Sequence, residues 1–244
     1  MGEQPLKGRL VLVTGAARRI GRAIALAVAK AGGNVIIHYR LSVAGAEQTK
    51  NDILAMGRQA WTVRADLAKP AEISQLLNEA TQFGVLTGLV NNASVFERMT
   101  PTQTSLVEWE KHLDVNLTAP FLLCQALSNL VPEGQRGSIV NVLDWRADRP
   151  GADHFPYVVS KAALAAMTKS MAVALAPDIT VNGVALGAIL PPDKEPPTPG
   201  ILENVPAGRW GDLSEVQDAV VFLLGGPAYL TGEILQLDGG RHLI

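Results

Sequence analysis

The chain has 244 residues, a net charge of -2 from 21 basic and 23 acidic side chains, and a hydrophobic fraction of 48%. This balance is typical of a globular protein with a large apolar core, and it excludes a disordered chain and a strongly basic nucleic-acid binder. The single cysteine, Cys124, excludes an intrachain disulfide, and the first ten residues lack the apolar run of a signal peptide, so we expect a cytoplasmic protein that binds neither nucleic acid nor membrane.

Short apolar strands alternate with helices along the whole sequence. We predict strands over 34–39, 60–65, 137–143, 179–186 and 232–240, a strand that ends in a turn over 10–15, and a strand followed by a loop over 88–94. We predict one helix over 20–31, a second that follows the second strand and ends at residue 56, and a third that begins at residue 70. Further helices are predicted from about 106 to 130, over 157–175 and over 214–224. Strands this apolar are buried on both faces, which indicates a doubly wound α/β fold with a parallel sheet covered by helices. No break in composition divides residues 1–244, so we expect one domain.

The turn after the first strand predicts a dinucleotide site. It has the sequence Thr14-Gly15-Ala16-Ala17-Arg18-Arg19-Ile20-Gly21, whose small residues let the backbone approach a pyrophosphate at a helix N-terminus. A lone glycine turn is weak evidence, but this one follows a strand, opens a helix and begins a βαβ unit. We therefore place Gly15, Arg18, Arg19, Ile20 and Gly21 in a cofactor site.

The end of the second strand, His38-Tyr39-Arg40-Leu41-Ser42, predicts which cofactor binds. NAD sites usually place an acid about 20 residues past the glycines, for the ribose 2′-hydroxyl. Here that position is Arg40, which with Ser42 and Arg18 could bind a 2′-phosphate, so we predict NADPH. The alternative is a solvated arginine at a strand end.

The end of the third strand adds Asp66 and Leu67 to the predicted cofactor site, beside His38 and Tyr39. Asp66 could accept a hydrogen bond from the adenine amino group. Alternatively, it could cap the turn before Pro70.

The helix predicted from Tyr157 begins with Tyr157-Val158-Val159-Ser160-Lys161, a Y-x-x-x-K motif. Positions i and i+4 share one face of a helix. A tyrosine with its ordinary pKa of about 10 is a poor acid–base group at neutral pH, and a lysine one turn away should favour its phenolate form. The pair could then exchange a proton with a substrate beside a nicotinamide.

Together these motifs resemble the short-chain dehydrogenase/reductase family over nearly the whole chain. The matching segments are TGAARRIG, NNAS, DVNLTAPF, YVVSK, ITVNGVALG and TGEILQLDGG, in the family's order. The resemblance implies a single Rossmann-like domain with seven strands, hydride transfer from nicotinamide C4 and, commonly, a homotetramer. It also implies that Lys161 binds the nicotinamide ribose, Asn116 holds a water in a proton relay, and Asn92, Ala93, Gly187 and Ile189 line the cofactor.

Three departures from the common family pattern resemble its pteridine reductase branch. Arg19 replaces the middle glycine of the turn, Asp144 stands where a catalytic serine is expected before Tyr157, and Ser94 ends NNAS with Phe96 shortly after it. By that resemblance Phe96 and the nicotinamide sandwich a flat pterin, Ser94 and Arg19 bind its polar edge and the cofactor phosphates, and Asp144 with Tyr157 delivers a proton. A planar pterin suits an aromatic platform.

Each departure also has a purely structural alternative. Arg19 could be a surface residue on a turn, Phe96 could pack in the core, and Asp144 could cap a helix or turn. Leu186 replaces the family proline before Gly187, and the Pro-rich segment 190–200 could cover a substrate or form a stiff surface loop. The sequence leaves open whether Trp145 and His154 face the substrate.

These observations favour an NADPH-dependent reductase of a small molecule, a pterin or folate, with no metal site. The alternative within the family is a carbonyl reductase of 3-oxoacyl thioesters or small ketones, which usually has serine in place of Asp144. The alternative of another class is a non-catalytic protein that senses NADP(H).

Overall fold

Seven parallel strands form one sheet in the computed structural model, which describes residues 4–191 and 200–244. The strands are β1 Leu10–Val13, β2 Asn34–Tyr39, β3 Ala60–Arg64, β4 Leu86–Asn91, β5 Gly137–Asp144, β6 Ile179–Leu186 and β7 Ile234–Leu237. They lie in the order β3-β2-β1-β4-β5-β6-β7, and each neighbouring pair is parallel. The predicted doubly wound α/β fold is confirmed.

Helices connect the strands. They are α1 Arg19–Lys30, α2 Val43–Ala55, α3 Pro70–Thr81, α4 Leu106–Leu113, α5 Ala119–Leu130, α6 Phe155–Leu175 and α7 Leu213–Gly225. One predicted boundary needs correction, since the strand predicted over 232–240 is limited to β7. In the segment predicted as a strand and loop over 88–94, the strand ends at Asn91 and the loop follows.

The helix predicted over 106–130 is interrupted by a π-helical turn at Asp114–Thr118. Pro120 has no N–H, so the Asn116 carbonyl cannot receive the α-helical hydrogen bond from position 120. The chain widens instead, and the Ala119 N–H donates to the Asp114 carbonyl, five residues back. Such turns are frequent at functional sites, and this one contains Asn116.

Apolar clusters cover both faces of the sheet because successive side chains of a strand point to opposite sides. Val11 and Val13 of β1 belong to the cluster that contains Ile24 of α1. Leu12 belongs to the cluster that contains Leu123 of α5. Burial on both faces explains why these strands are almost wholly apolar.

The chain crosses between the two halves of the sheet at β1, which pairs with β2 on one side and β4 on the other. The connections after β1 and β4 therefore diverge and leave a crevice at the carboxyl ends of these strands, where ligands bind in open α/β sheets. The connections after β5, β6 and β7 reach the same edge of the sheet.

Helix α6 is the one helix in the described parts of the chain that is long and apolar enough to cross a membrane by length and composition. It packs against β5 and β6 and buries Leu164, Thr168 and Ala172. A core helix of a soluble protein passes the same test, so this is weak evidence of a membrane span. The Pro-rich segment lies mostly outside the described residues, which omit 192–199.

Candidate active site

A cleft of about 540 Å³ occupies the crevice at the carboxyl ends of β1, β2, β3 and β4. Most residues predicted to bind a cofactor line it. They are Gly15, Arg18, Arg19, Ile20, Gly21, His38, Tyr39, Arg40, Ser42, Asp66, Leu67, Asn92, Ala93 and Ser94. Ala17, Leu41, Ala65, Val95 and Val115, which the sequence analysis did not single out, line it too, as does Phe96.

The glycine turn packs tightly against the loop after β4. Gly15 has a φ of +65°, and a Cβ on Gly21 would lie 2.2 Å from the Gly15 carbonyl oxygen, so no larger residue fits at position 21. The Thr14 hydroxyl accepts hydrogen bonds from the N–H groups of Asn92 and Ala93, at 2.9 and 3.0 Å. The Asn92 amide donates in turn to the Thr14 carbonyl at 2.8 Å. Asn92 therefore holds the loop after β4 against the glycine turn, and both line the cleft.

His38 links the glycine turn to the end of β3. Its Nδ1 accepts from the Gly15 N–H at 3.0 Å, and its Nε2 lies 3.1 Å from the Ala65 carbonyl oxygen. Since an amide N–H only donates and a carbonyl only accepts, the ring is neutral with its proton on Nε2. Burial lowers the pKa of His38 to about 4, which agrees with that state. Both ring nitrogens are engaged within the protein, so His38 shapes the cleft and has no ring nitrogen left for a ligand.

Arg19 has a φ of +51°, in the left-handed region that glycine adopts freely. The side chain is exposed, and one guanidinium nitrogen donates to the Pro191 carbonyl at 2.9 Å. This backbone costs an arginine about 1–2 kcal/mol. Such a strained backbone persists only where the surrounding structure imposes it. Here the Arg19 side chain connects the glycine turn to Pro191, in the segment after β6.

Basic side chains surround the end of the cleft beside β2. Arg18 and Arg40 are exposed, and a Cβ on Gly45 would meet both the Ser42 hydroxyl and the Arg18 side chain, so these two groups lie close together. Arg40 lies 3.9 Å from an Asp66 carboxylate oxygen. Asp66 also accepts the Ala68 N–H at 3.2 Å, so it does cap the turn, as one sequence interpretation proposed. Arg18, Arg40 and Ser42 together form a donor set for an anionic group.

Tyr157 and Asp144 meet where α6 begins and β5 ends. The Tyr157 hydroxyl donates to Asp144 Oδ2 at 2.9 Å, and the tyrosine is buried. Burial, followed by the charge and hydrogen bond of Asp144, raises the pKa of Tyr157 well above its ordinary value of 10. Tyr157 is therefore a neutral phenol. The sequence argument that Lys161 favours the phenolate is wrong for this structure, because burial and then Asp144 favour the protonated form.

Lys161 lies on the same face of α6 but its ammonium points elsewhere. Its Nζ donates to the Val142 carbonyl at 2.7 Å and lies 5.8 Å from the centre of the Tyr157 ring. Burial lowers the pKa of Lys161 from 10.5 to about 8, although the charge of Asp144 opposes this. The lysine is thus mostly charged at neutral pH and is fixed at the carboxyl end of β5.

The Asn116 side chain joins three parts of the site. Its Oδ1 accepts from the Val95 N–H at 2.8 Å and the Ser94 hydroxyl at 3.1 Å, and its Nδ2 donates to the Val95 carbonyl and the Ser160 hydroxyl, each at 3.0 Å. All four hydrogen-bonding positions of the amide are occupied. The side chain therefore holds Ser94 and α6 in place and has no position left for a relay water.

Phe96 carries an exposed aromatic surface beside Tyr157. Half of Phe96 is accessible, so it is not a core residue. It stacks on His154 with ring centres 4.1 Å apart and meets the Tyr157 ring edge-on at 4.6 Å. The sequence left open whether His154 faces the substrate. In the structure His154 packs against one face of Phe96.

Gly187 and Ile189 do not line the cleft. Gly187 packs against β7, since a Cβ there would lie 2.6 Å from Asp238 Cα, and its N–H donates to the Leu237 carbonyl at 3.0 Å. The side chains of Ile189 and Leu186 are buried in the apolar core. The Leu186 side chain therefore takes no part in the cleft.

Arg146 is the neighbour of Asp144 that the sequence analysis missed. The Arg146 main-chain N–H donates to Asp144 Oδ1 at 2.9 Å, so Asp144 does cap the short 3₁₀ turn at Trp145–Ala147. The Arg146 guanidinium lies 3.5 Å from the same oxygen. A turn cap and the tyrosine contact thus use different oxygens of one carboxylate. Spacing alone gave no signal for Arg146.

Over 4–191 and 200–244, no group of three or more metal-ligating side chains is found.

Known proteins resemble this chain over nearly its whole length. A family model described as enoyl-(acyl carrier protein) reductase matches residues 15–242. A 3-oxoacyl-[acyl-carrier-protein] reductase from a Synechocystis species is 34% identical over 244 residues, which cover 96% of this chain and 97% of that protein.

Solved structures share the fold. FolM alternative dihydrofolate reductase 1 from Brucella canis, complexed with NADP, superposes with a TM-score of 0.91 at 34% identity, covering 99% of this chain and 96% of that chain. A short-chain dehydrogenase/reductase from Serratia marcescens superposes with a TM-score of 0.90 at 32% identity, covering 98% and 99%. The chain thus resembles an acyl-carrier-protein reductase in sequence and an alternative dihydrofolate reductase in structure.

We predict that Lys161→Met stabilises the protein at neutral pH. The drop in pKa from 10.5 to about 8 means that burying the charged lysine costs about 3 kcal/mol, which the substitution removes. The substitution also loses the hydrogen bond to the Val142 carbonyl, which costs about 1 kcal/mol. Below pH 8 the free energy of unfolding should therefore rise by about 2 kcal/mol. Between pH 8 and 10.5 the folded lysine is already neutral, so the gain should fade.

Urea unfolding at pH 7 and near pH 10 measures this effect. Lys169→Met, on the exposed face of the same helix, is the matched control and should give no gain. A lower stability of Lys161→Met than of the parent at pH 7 would show that the buried charge is compensated.

Proposed function

Because this chain belongs to the short-chain dehydrogenase/reductase family of oxidoreductases, we propose that it reduces a pterin, such as a dihydropterin or dihydrofolate, with NADPH. The hydrogen bond from the Tyr157 hydroxyl to Asp144 carries this proposal. It places a protonated phenol and a carboxylate together at the end of β5, beside the exposed ring of Phe96. The structural likeness to an alternative dihydrofolate reductase supports it.

NADPH is the cofactor, and the residues of the cleft fit it. Gly15 and Gly21 allow close approach of a pyrophosphate to the start of α1, while Arg18, Arg40 and Ser42 offer donors for a 2′-phosphate. The NADP bound in the Brucella canis relative supports the same cofactor here. When bound, NADPH supplies a hydride from nicotinamide C4.

Tyr157 holds the proton that the reduction consumes. Reducing a C=N bond of a pterin requires a hydride at carbon and a proton at nitrogen. Because burial and then Asp144 raise the pKa of Tyr157, the phenol keeps its proton and can act as a general acid at neutral pH. Lys161, mostly charged at pH 7 with its pKa of about 8, is proposed to bind the nicotinamide ribose. Asn116 positions Ser94 and α6.

Phe96 is proposed as the platform for the pterin ring. His154 stacks on one face of Phe96, so the pterin would stack on the other face, close to Arg146, whose Cζ lies 5.6 Å from the ring centre. Ser94, held by Asn116, and Arg19, held through Pro191, are proposed to bind the polar edge of the pterin and the cofactor phosphates. These contacts distinguish a flat heterocycle from a flexible chain.

The second candidate is a carbonyl reductase of 3-oxoacyl thioesters. The sequence identity to a 3-oxoacyl-[acyl-carrier-protein] reductase favours it. Asp144 in place of the usual serine and the exposed Phe96 favour the pterin. A non-catalytic NADP(H) sensor does not require the Tyr157–Asp144 contact.

We also propose that the chain is one cytoplasmic domain that assembles into a homotetramer. The family model spans residues 15–242, which supports one domain. Exposed apolar side chains on three successive helices support contacts between copies, namely Leu106 and Val107 of α4, Phe121 of α5 and Val173 of α6.

NADPH oxidation against a substrate panel tests the proposed function. The panel contains dihydrobiopterin, dihydromonapterin, dihydrofolate, an acetoacetyl thioester and simple ketones. We expect turnover of at least one pterin. Turnover of the thioester alone would establish the second candidate, and tight NADPH binding without any turnover would favour the sensor.

We predict that Asp144→Ser lowers kcat for a pterin by more than about tenfold, since general acid–base groups contribute about 10²–10⁴-fold. Removing the carboxylate also removes a charge that raises the pKa of Tyr157. The loss of activity at high pH should therefore begin at a lower pH in the variant. A pH–rate profile measures both effects, and an unchanged rate and profile would remove Asp144 from the mechanism.

We predict that Arg40→Asp shifts cofactor preference from NADPH towards NADH by about tenfold or more in kcat/KM, because a carboxylate repels the 2′-phosphate and can bind a 2′-hydroxyl. Arg58→Asp, outside the cleft, is the matched control and should keep the preference. Unchanged cofactor preference in Arg40→Asp would assign the phosphate to other residues.

A further inference from the structure

Two turns meet at the carboxyl edge of the sheet, beyond Asp144. The 3₁₀ turn Trp145–Ala147 follows β5, and the 3₁₀ turn Arg241–Leu243 follows β7. Each carries an arginine against the Trp145 ring: Cζ of Arg241 lies 4.2 Å from the ring centre, and Cζ of Arg146 lies 5.0 Å from it. The indole holds both guanidiniums by cation–π contact.

The carboxylates near these two arginines are shared with other donors. Arg146 Nη1 lies 3.5 Å from Asp144 Oδ1, and that carboxylate also accepts the Tyr157 hydroxyl and the Arg146 N–H. Arg241 Nε is buried and has no hydrogen-bond partner among residues 4–191 and 200–244. Burial and then the charge of Arg146 lower the pKa of Arg241, and the charges of Asp144 and Asp238 oppose this shift.

The other carboxylates of this edge have different partners. Asp238 accepts from the N–H groups of Gly240 and His242 and lies 2.9 Å from His242 Nδ1. Asp148 accepts the Gln236 amide at 2.7 Å. Arg241 as a whole is only partly buried, so part of its side chain remains accessible to an added anion, while its Nε has no acceptor in the described residues.

The arginine pair borders the proposed pterin platform. Cζ of Arg146 lies 5.6 Å from the centre of the Phe96 ring, whose edge-on neighbour is Tyr157. A substituent of a ring stacked on Phe96 can thus reach Arg146 while the ring stays beside Tyr157. Guanidiniums bind carboxylates and phosphates through paired N–H donors.

We propose that Arg146 and Arg241 form a subsite for an anionic group on the tail of the substrate. This inference rests on the proposed function and makes it more specific: the substrate is a pterin with an acidic tail, such as dihydrofolate, and a pterin with a neutral side chain is the poorer substrate. The same chemistry would take the phosphate of a thioester carrier, and the test separates these two sources.

The test compares dihydrofolate, which carries carboxylates, with dihydrobiopterin, whose side chain is neutral. We expect a higher kcat/KM for dihydrofolate in the parent protein. In Arg241→Gln the KM for dihydrofolate should rise about tenfold, and the ratio of kcat/KM between the two substrates should fall by a similar factor. Added salt should raise the KM for dihydrofolate in the parent protein more than in the variant.

Arg136→Gln is the matched control, since Arg136 is exposed just before β5, at the opposite edge of the sheet. It should leave both substrates unchanged. Equal loss for both substrates in Arg241→Gln, or no change in either, would overturn the anion subsite while leaving pterin reduction standing.

If no pterin is reduced, the proposed function fails and the subsite is tested with a second pair. Acetoacetyl-coenzyme A carries phosphates, and acetoacetyl-N-acetylcysteamine is the same thioester without them. A rise in KM for the coenzyme A ester alone in Arg241→Gln would support an anion subsite that binds a carrier phosphate. Equal kinetics of the two thioesters in parent and variant would overturn the inference.

Discussion

The hydrogen bond between the Tyr157 hydroxyl and Asp144 is the interaction on which the candidate chemistry depends. It joins the start of α6 to the end of β5, which lies between β4 and β6 in the sheet. The carboxylate and burial together keep the phenol protonated. A reductase needs that state, because the proton must be present before it is transferred.

The rest of the site is held by polar groups that the protein satisfies internally. Thr14 binds the loop after β4, His38 binds the glycine turn to β3, and Asn116 binds that same loop to α6. None of these side chains is well placed to contribute further hydrogen bonds to a ligand, since their donors and acceptors are in use. Their effect is to fix backbone and side chains around the cleft before any ligand binds.

The site divides into two halves with different physical character. The half beside β2 is lined by backbone and by Arg18 and Arg40, and it suits the phosphates of a dinucleotide. The half beyond β5 has the aromatic surface of Phe96 and the cations Arg146 and Arg241 around Trp145. A dinucleotide accounts for the first half, whereas the second half is where the substrate class is decided.

The sequence by itself determined the α/β fold, the position of the cleft and most of its lining, because strand hydrophobicity and the glycine turn act locally. It also paired Asp144 with Tyr157 through a family resemblance. Only the tertiary structure decided what their contact does, because burial and then the charge and hydrogen bond of Asp144 set the direction in which the pKa of Tyr157 shifts, and spacing in the sequence reveals neither. Likewise, Arg241 contacts Trp145 although the two residues are far apart in the sequence, and no local sequence pattern predicts this contact.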